Sequence, residues 1–563
     1  MRRTTTLAIA GFTAGALALS ACSGTDQAAT TGGGTGGTPA KGGTVGVLQS
    51  SDFSYLDPSR GWDGGVNAFY RLVYRQLVTK AAGDAENPNE MVPDLAESLG
   101  TPSADGLTWT YKLKQGLKFD TGAPITSREV KFGITRGWDP EIGIGAPYLK
   151  QFVAAPPDYQ GPYRSGDLDT IETPDERTVV FHLKAPFPEF DAVLSMPSGT
   201  PFPVGSGGGD SFINDVVASG PYDVKSFTPG SRIELTRNPN WDAATDSVRK
   251  AYPDAWNFTI GVDGATIDER LIAGQGADVN AVAGQVQTAT IARIQTPQLK
   301  QRTVKVPSTC LTYIGLNTTK GPLGDVRVRQ AINYAVDKSA VLNATGGNQF
   351  ATISTTILPT SVSGHTDYDL YPSKDHAGDV DEAKRLLAEA GHADGFTLTL
   401  DVRSNAVAQR QAEAVQQSLG RVGIEVGLNV IDVSTYYETI ATPAAQHDAA
   451  ITGWCPDWAS SASTFLPPLF DGRKITAKGN QNLAQLNDPA VNAAIDAGIA
   501  ETDLAEADTA WGELDRKIME LAPIVPLNVE NRIFLPGSNV TGFHAPGGDI
   551  DYAILGLKDA GKS

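Results

Sequence analysis

The residues best suited to binding chemistry lie in one short stretch, from Thr452 to Trp458. Asp457 stands between Trp454 and Trp458 and follows an apolar run at 449–451. A carboxylate that is shielded from water where a buried strand ends can form a charge-assisted hydrogen bond worth roughly 1.5 to 3 kcal/mol. Indole faces also attract ammonium groups. The stretch therefore predicts a site for an amine or another cation, and the alternative is a surface loop with two half-buried tryptophans.

A strand-helix-strand unit precedes this stretch and could position it. Apolar residues alternate at 398–402 and again at 424–430, and they recur at helical spacing at 412–422. Such a βαβ unit has parallel strands, and ligands of parallel sheets gather beyond the carboxyl ends of the strands. Arg403 follows the first strand, so we expect it at the same rim as Asp457, where the two charges could hold a zwitterion. A solvated loop arginine is the alternative.

Composition limits the classes of partner and activity. The chain has 563 residues, of which 40% are hydrophobic and 19% charged, and its formal charge is -19. These values predict a globular protein of roughly three or four domain-sized units. No basic stripe exists to neutralise phosphates, which argues against nucleic acid as a partner. The six histidines show no metal-ligand spacing and no catalytic motif is present, so we predict no metal, no cofactor and no enzymatic activity, with a secreted enzyme as a remote alternative.

The N-terminus has the pattern of an export signal. Two arginines precede an apolar stretch from Leu7 to Leu19, which is too short to span a bilayer. The string Leu-Ser-Ala-Cys that ends at Cys22 matches the lipobox of bacterial lipoproteins. We expect a signal peptide at 1–21, a lipidated Cys22 and a location on the outer face of the cell membrane, the alternative being an ordinary secretory peptide. Residues 22–42, rich in Gly, Thr and Ala, are predicted to form a flexible tether.

Two cysteines remain after Cys22. Cys310 and Cys455 would lie in an oxidising compartment, where either a disulfide or two buried thiols are open interpretations. A bond would close a loop of 455 - 310 = 145 positions, for which the chain-entropy model gives roughly 5 kcal/mol. It would also hold Asp457 close to the segment that contains Cys310.

An ordered set of segments resembles the family 5 extracellular solute-binding proteins of ABC importers, which are receptors for oligopeptides, dipeptides and nickel. The matches run from about Gly43 to Phe543. Three matching segments come first: the string PDLAES from Pro93, which we interpret as a capped helix, the string DGLTWTYKLKQGLKFDTGAPIT from Asp105, which we interpret as a hairpin, and a helix that starts near Ser127. Three more follow: Arg237 to Trp241, Gly276 to Val279, which we interpret as a strand, and a helix capped by Asp325.

The helix that Asp325 caps is the clearest of these segments. Its apolar residues recur at the spacing of a buried helical stripe, at Val328, Ala331, Ile332, Ala335 and Val336.

The resemblance implies an α/β fold of two lobes, the periplasmic-binding-protein fold, with a hinge and an extra domain inserted in the first lobe. We expect the hinge crossings near Cys310 and near Pro523–Pro526. The expected boundaries are 43–85 and 196–309 for the first lobe, 86–195 for the inserted domain, 310–522 for the ligand-anchoring second lobe and 523–563 for the C-terminal return to the first lobe.

The resemblance also implies roles for particular residues. Asp457 falls on the acid that binds the α-ammonium group of the ligand in the peptide receptors of this family. Cys455 falls on a cysteine that the oligopeptide receptors of Gram-negative bacteria bond to the equivalent of Cys310, and main-chain groups beside Cys455 would pair with an extended peptide. Arg403 matches an arginine that holds the ligand carboxylate in dipeptide receptors, and Tyr148 matches a tyrosine of the oligopeptide pocket.

These roles together imply a monomeric lipoprotein that captures short peptides by lobe closure and delivers them to the permease of an ABC importer. A receptor for another cationic or chelated solute, such as a nickel complex, is the alternative, as is a lipoprotein that senses peptides. Two positions depart from the family pattern, because Ile451 stands where a basic residue is common and Ala459 follows where an acid and a proline are common. Ligand length and the group that holds the ligand carboxylate therefore stay open.

Overall fold

The computed structural model describes residues 37–53, 55–61, 64–142, 145–207 and 216–562. The expected signal peptide, Cys22 and residues 22–36 of the expected tether lie outside the described residues. Within the described ranges, none of the helices has the length and apolarity that a membrane crossing requires.

The strands of the described residues, in chain order, are β1 Thr44–Leu48, β2 Val78–Lys80, β3 Met91–Pro93, β4 Thr101–Pro102, β5 Thr108–Lys112, β6 Ile171–Asp175, β7 Thr178–His182, β8 Tyr222–Thr228, β9 Arg232–Arg237, β10 Ala255–Thr259, β11 Ala281–Ala283, β12 Val304–Leu316, β13 Ala351–Ile353, β14 Phe396–Arg403, β15 Ile424–Ile431, β16 Ala449–Trp454, β17 Ile524–Phe534, β18 Val540–Thr541 and β19 Gly556–Leu557.

The α-helices of the same ranges are α1 Gly64–Val73, α2 Ser127–Thr135, α3 Tyr148–Phe152, α4 Phe190–Leu194, α5 Gly264–Ala273, α6 Pro297–Lys300, α7 Val326–Ala335, α8 Lys338–Thr345, α9 Val380–Glu389, α10 Ala406–Gly420, α11 Tyr436–Ile440, α12 Leu466–Phe470, α13 Pro489–Ala500 and α14 Leu504–Leu521.

The first lobe is built on a five-stranded sheet with the order β11-β1-β10-β9-β8, in which β1 is parallel to both of its neighbours. Alternate residues of its strands, such as Val45, Val47, Trp256 and Phe258, are buried against α1 in one apolar core. Part of the expected tether also lies against this lobe, because the amide of Ala40 donates to the carbonyl of Leu557 at 2.7 Å.

The inserted domain has an antiparallel sheet with the order β4-β5-β7-β6, within the expected range 86–195. Trp109, Tyr111 and Phe181 point from this sheet into a separate core, where Phe190 of α4 meets them. The sheet and its helices thus form a unit with a core of their own beside the first lobe.

The second lobe contains a six-stranded sheet with the order β13-β17-β12-β16-β14-β15. The predicted βαβ unit is confirmed, since β14 and β15 are parallel and joined by α10. The predicted capped helix is α7, where the Asp325 side chain accepts a hydrogen bond from the amide of Arg327. The two-lobed α/β fold expected from the sequence is therefore confirmed.

Two adjacent strands, β12 and β17, join the lobes. They pair along most of their length, from Val304 opposite Phe534 to Gly315 opposite Ile524. At one end Val304 and Phe534 pack in the core of the first lobe, and at the other Ile314 packs in the core of the second. The hinge is therefore a two-stranded ribbon.

The crossings within this ribbon are not both where we expected them. The first crossing lies near Cys310, as expected, because the register shifts between 307 and 311 at the change of core. The return lies later than Pro523–Pro526. Residues from Ile524 to Val529 belong to the second lobe, and Ile533 is the first to join a core of the first lobe.

Two of the local predictions were wrong. The string that starts at Pro93 is not a helix, because the Asp94 carboxylate is bound by Arg75 at 2.7 Å and by Arg249 at 2.9 Å and does not cap a first turn. The string Gly276 to Val279 lies in a 3-10 helix, and the strand β11 begins only after it.

Candidate functional site

The disulfide between Cys310 and Cys455 is present, with the two Cα atoms 4.2 Å apart. It follows from strand pairing, since β12 and β16 are antiparallel and Leu311 lies opposite Trp454. The next residues outward are the two cysteines. The bond therefore fixes the segment after β16 to the hinge strand β12, and Asp457 comes two residues later.

Asp457 lies in the wall of a cavity of about 170 Å³ where both lobes and the inserted domain meet. Burial raises the pKa of its carboxyl to about 6, because a charged group is disfavoured away from water. The cavity lining includes Asn67, Tyr70, Arg71, Gln76 and Lys80 from the first lobe, Asn89, Ala192 and Ser195 from the range of the inserted domain, Asp457 and Trp458 from the second lobe, and Asp549 and Asp551 near the C-terminus.

Tyr148 of α3 contacts Asp457 directly. Its hydroxyl donates a hydrogen bond to Oδ2 of the carboxylate, and its ring meets Trp458 edge-on with centroids 5.0 Å apart. A donor stabilises the ionised form of a carboxylate, so this bond opposes the effect of burial on the pKa of Asp457. The structure thus brings together these two predicted site residues, although they are 309 positions apart.

The two indoles of the stretch lie in different surroundings. Trp458 is 3% exposed and packs in the core of the inserted domain, beside Phe187. Trp454 packs against the core of the second lobe and donates to the carbonyl of Thr464 at 2.9 Å. Trp458 lines the cavity and Trp454 is not among the described residues that do so. The two indoles therefore pack in different cores, and the expected placement of the acid between two indole faces stays a prediction.

Glu189 is a site residue that the sequence analysis missed. It precedes α4 in the inserted domain, and its carboxylate accepts hydrogen bonds from Trp458 Nε1 at 2.7 Å, Ser461 Oγ at 2.5 Å and Ser463 Oγ at 2.6 Å. Burial raises its pKa, and the three donors oppose that shift. No local pattern could have identified it, because all three donors lie about 270 positions away. Glu189 joins the inserted domain to the segment that carries Asp457.

Arg403 is the last residue of β14, and its guanidinium lies 5.7 Å from the ring centre of Tyr436 and 5.5 Å from that of Tyr437. Its Nη1 also donates to the Tyr437 hydroxyl at 3.2 Å. Arg403 is not in the lining that the described residues give the Asp457 cavity. Its expected role in holding a carboxylate stays a prediction.

One edge of β16 is left open beside the cavity. β14 runs parallel to β16 only as far as Ala450, and the Tyr436 hydroxyl then donates to the carbonyl of Ile451 at 2.6 Å where the two strands separate. From Thr452 to Cys455 this edge has no strand partner among the described residues. Its backbone groups are those that could pair with an extended ligand.

Comparison with known proteins gives one family model, described as bacterial extracellular solute-binding proteins, family 5 middle, which matches residues 90–477. The glutathione-binding protein GsiB of Salmonella typhi is 26% identical over 505 residues, which are 88% of this chain and 91% of that protein.

Solved structures of solute-binding proteins are also similar to this chain. The clavulanic acid biosynthesis oligopeptide binding protein 2 is 34% identical with a TM-score of 0.86, covering 94% of this chain and 99% of that one. The murein tripeptide binding protein MppA of Escherichia coli, at 20% identity and a TM-score of 0.65, covers 92% of this chain and 99% of its own, and shares the fold.

Proposed function

This chain belongs to the bacterial extracellular solute-binding proteins of family 5, and from that premise we propose that it captures short peptides and delivers them to the permease of an ABC importer. The observation that carries the proposal is the half-buried carboxylate of Asp457 in a cavity bordered by both lobes. A peptide α-ammonium is a cation of the right charge and size to replace the neutral donor Tyr148 or to join it there.

The open edge of β16 supports a peptide over a simple amine. An extended peptide whose first residue is at Asp457 would run beside residues 452–455 and form main-chain hydrogen bonds like those of an added strand. Such bonds do not depend on side-chain identity, so one site can take peptides of many sequences. Arg403, near the point where β14 leaves β16, is then a candidate for a ligand carboxylate.

The names of two relatives agree with a peptide ligand. One is called an oligopeptide binding protein and the other a glutathione-binding protein, and both names describe small peptides. The family is extracytoplasmic, which agrees with the disulfide between Cys310 and Cys455.

The membrane attachment is also part of the proposal. The string that ends at Cys22 supports a lipid anchor on the outer face of the cell membrane. A monomer held in this way would meet the permease from outside and release its ligand there.

Calorimetric titration with short peptides that carry either a free or an acetylated N-terminus tests the proposal. We expect the free peptides to bind and the acetylated ones to bind at least tenfold more weakly, because acetylation removes the charge that Asp457 receives. Asp457→Ala should abolish this preference. The proposal fails if neither set of peptides binds, or if both bind equally well.

A further inference from the structure

Lys80 shares the cavity with Asp457 but approaches it from another part of the molecule. It is the last residue of β2, and its backbone is held by pairing with Met91 of β3. The amide of the next residue, Ala81, donates to the carbonyl of Glu90 at 2.8 Å and continues this ladder. The side chain therefore starts from an ordered position in the wall of the cavity.

The Lys80 ammonium has no hydrogen-bond or ion-pair partner in the described part of the chain. The nearby acids are already engaged, since Asp551 pairs with Arg71 at 3.1 Å and Asp549 pairs with Arg532 at 3.0 Å. Burial lowers the pKa of Lys80, while the charge of Asp549 acts in the opposite direction. Lys80 is half-buried, and a half-buried cation without a close partner carries a desolvation cost that a ligand anion would offset.

We infer that Lys80 receives a carboxylate of the bound ligand, so that this cavity holds a molecule with an ammonium at Asp457 and a carboxylate at Lys80. The inference rests on the proposed function, because it takes the ammonium at Asp457 as given. It assigns to the ligand carboxylate a residue that the sequence analysis did not consider. The carboxylate can come from the C-terminus of a peptide or from an acidic side chain.

Four peptides with free N-termini separate these two sources. Ala-Ala-Ala as the free acid and as the amide differ only at the C-terminus, and the amides of Ala-Glu-Ala and Ala-Gln-Ala differ only in the side chain. Each is titrated against the wild type, Lys80→Met and Lys41→Met. Lys41 is the control because it is exposed and makes no described contact.

We expect the wild type to prefer one carboxylate-bearing peptide over its neutral partner by about 10- to 100-fold, since a charge-assisted bond is gained. Lys80→Met should remove that preference and leave the neutral peptides within about twofold, and Lys41→Met should keep it. The peptide pair that responds identifies the source. Lys80→Gln serves as a second variant if the methionine variant melts at a lower temperature.

Three results would overturn the inference. A wild type that binds acid and neutral peptides alike has no carboxylate site here, although the proposed function would stand. A preference that survives Lys80→Met assigns the carboxylate to another residue, and titration of Arg403→Met as a further variant would then show whether that residue is Arg403. A wild type that binds none of the four peptides refutes both this inference and the proposed function.

Discussion

The raised pKa of Asp457 leads to a specific pH dependence of binding. An ammonium ligand needs the ionised carboxylate, whose pKa is about 6 in the unliganded protein. At pH 5 about a tenth of such groups is ionised, so the apparent affinity should be about tenfold lower than at pH 7.5. With an ordinary carboxyl pKa near 4 the same change of pH would alter the affinity by only about a tenth.

Titration calorimetry between pH 5 and 7.5 measures this effect. A peptide amide is a suitable ligand, because its α-ammonium group stays largely protonated over most of this range and it has no carboxylate that could titrate. Near pH 6 binding should release about half a proton, which appears as a difference in heat between buffers of different ionisation enthalpy. A flat affinity between pH 5 and 7.5, or no proton release near pH 6, would refute the reasoning.

Two substitutions complete the test. Asp457→Asn should remove the pH dependence and weaken binding by about 10- to 100-fold. Asp508→Asn is the matched control, because the pKa of Asp508 is also raised to about 6 but Asp508 is not among the described residues that line the cavity. It should leave the pH profile of binding unchanged.

The raised pKa of Asp457 makes the unliganded protein less stable as the pH rises, whereas ligand binding becomes stronger. A carboxyl whose pKa is raised from 3.8 to about 6 contributes stability that is fully present below pH 3.8 and is lost as the pH rises through 6. The loss at pH 7 is at most about 3 kcal/mol. Asp457→Asn should therefore raise the melting temperature at pH 7 while it weakens binding.

Two further predictions concern the contacts that hold Asp457 in place. Glu189→Ala should lower the free energy of unfolding by about 2 to 4 kcal/mol, because it leaves two buried donors and one half-buried donor without their acceptor. Glu189→Gln keeps an acceptor and should cost about 1 kcal/mol. Equal losses for the two variants in denaturant titrations would contradict this. Replacing Cys310 and Cys455 together by serine should lower the free energy of unfolding by up to about 5 kcal/mol. The same double substitution should weaken peptide binding, because Asp457 would no longer be tied to β12. An unchanged affinity would show that the disulfide does not position the site.

Much of the site could be predicted because its signals are local. The alternating strands and the helix between them identified the unit β14-α10-β15, and the pairing of β12 with β16 agrees with the disulfide that the family resemblance implied. Asp457 follows a buried strand, as its sequence context indicated. For the β14-α10-β15 unit and for Asp457, the residues that decide the structure are neighbours in the chain, whereas the disulfide joins residues 145 positions apart and was expected from the family resemblance.

The missed features depend on contacts between distant segments. Glu189 and Lys80 carry no motif, and their importance comes from what surrounds them in the fold. Asp94 has the appearance of a helix cap, but two buried arginines bind it instead. A local preference worth about 1 kcal/mol yields to such a buried ion cluster, because breaking it would leave charges without partners.

The disulfide also has a consequence for the sequence of events during capture. Cys310 lies where β12 passes from one lobe to the other, and Asp457 is at most about 7 Å of extended chain beyond Cys455. In a rotation about this ribbon, points close to the axis travel a short arc and the distant rims of the lobes travel a long one. A ligand whose amino group binds Asp457 first would therefore lie close to the axis about which the rest of the cleft shuts.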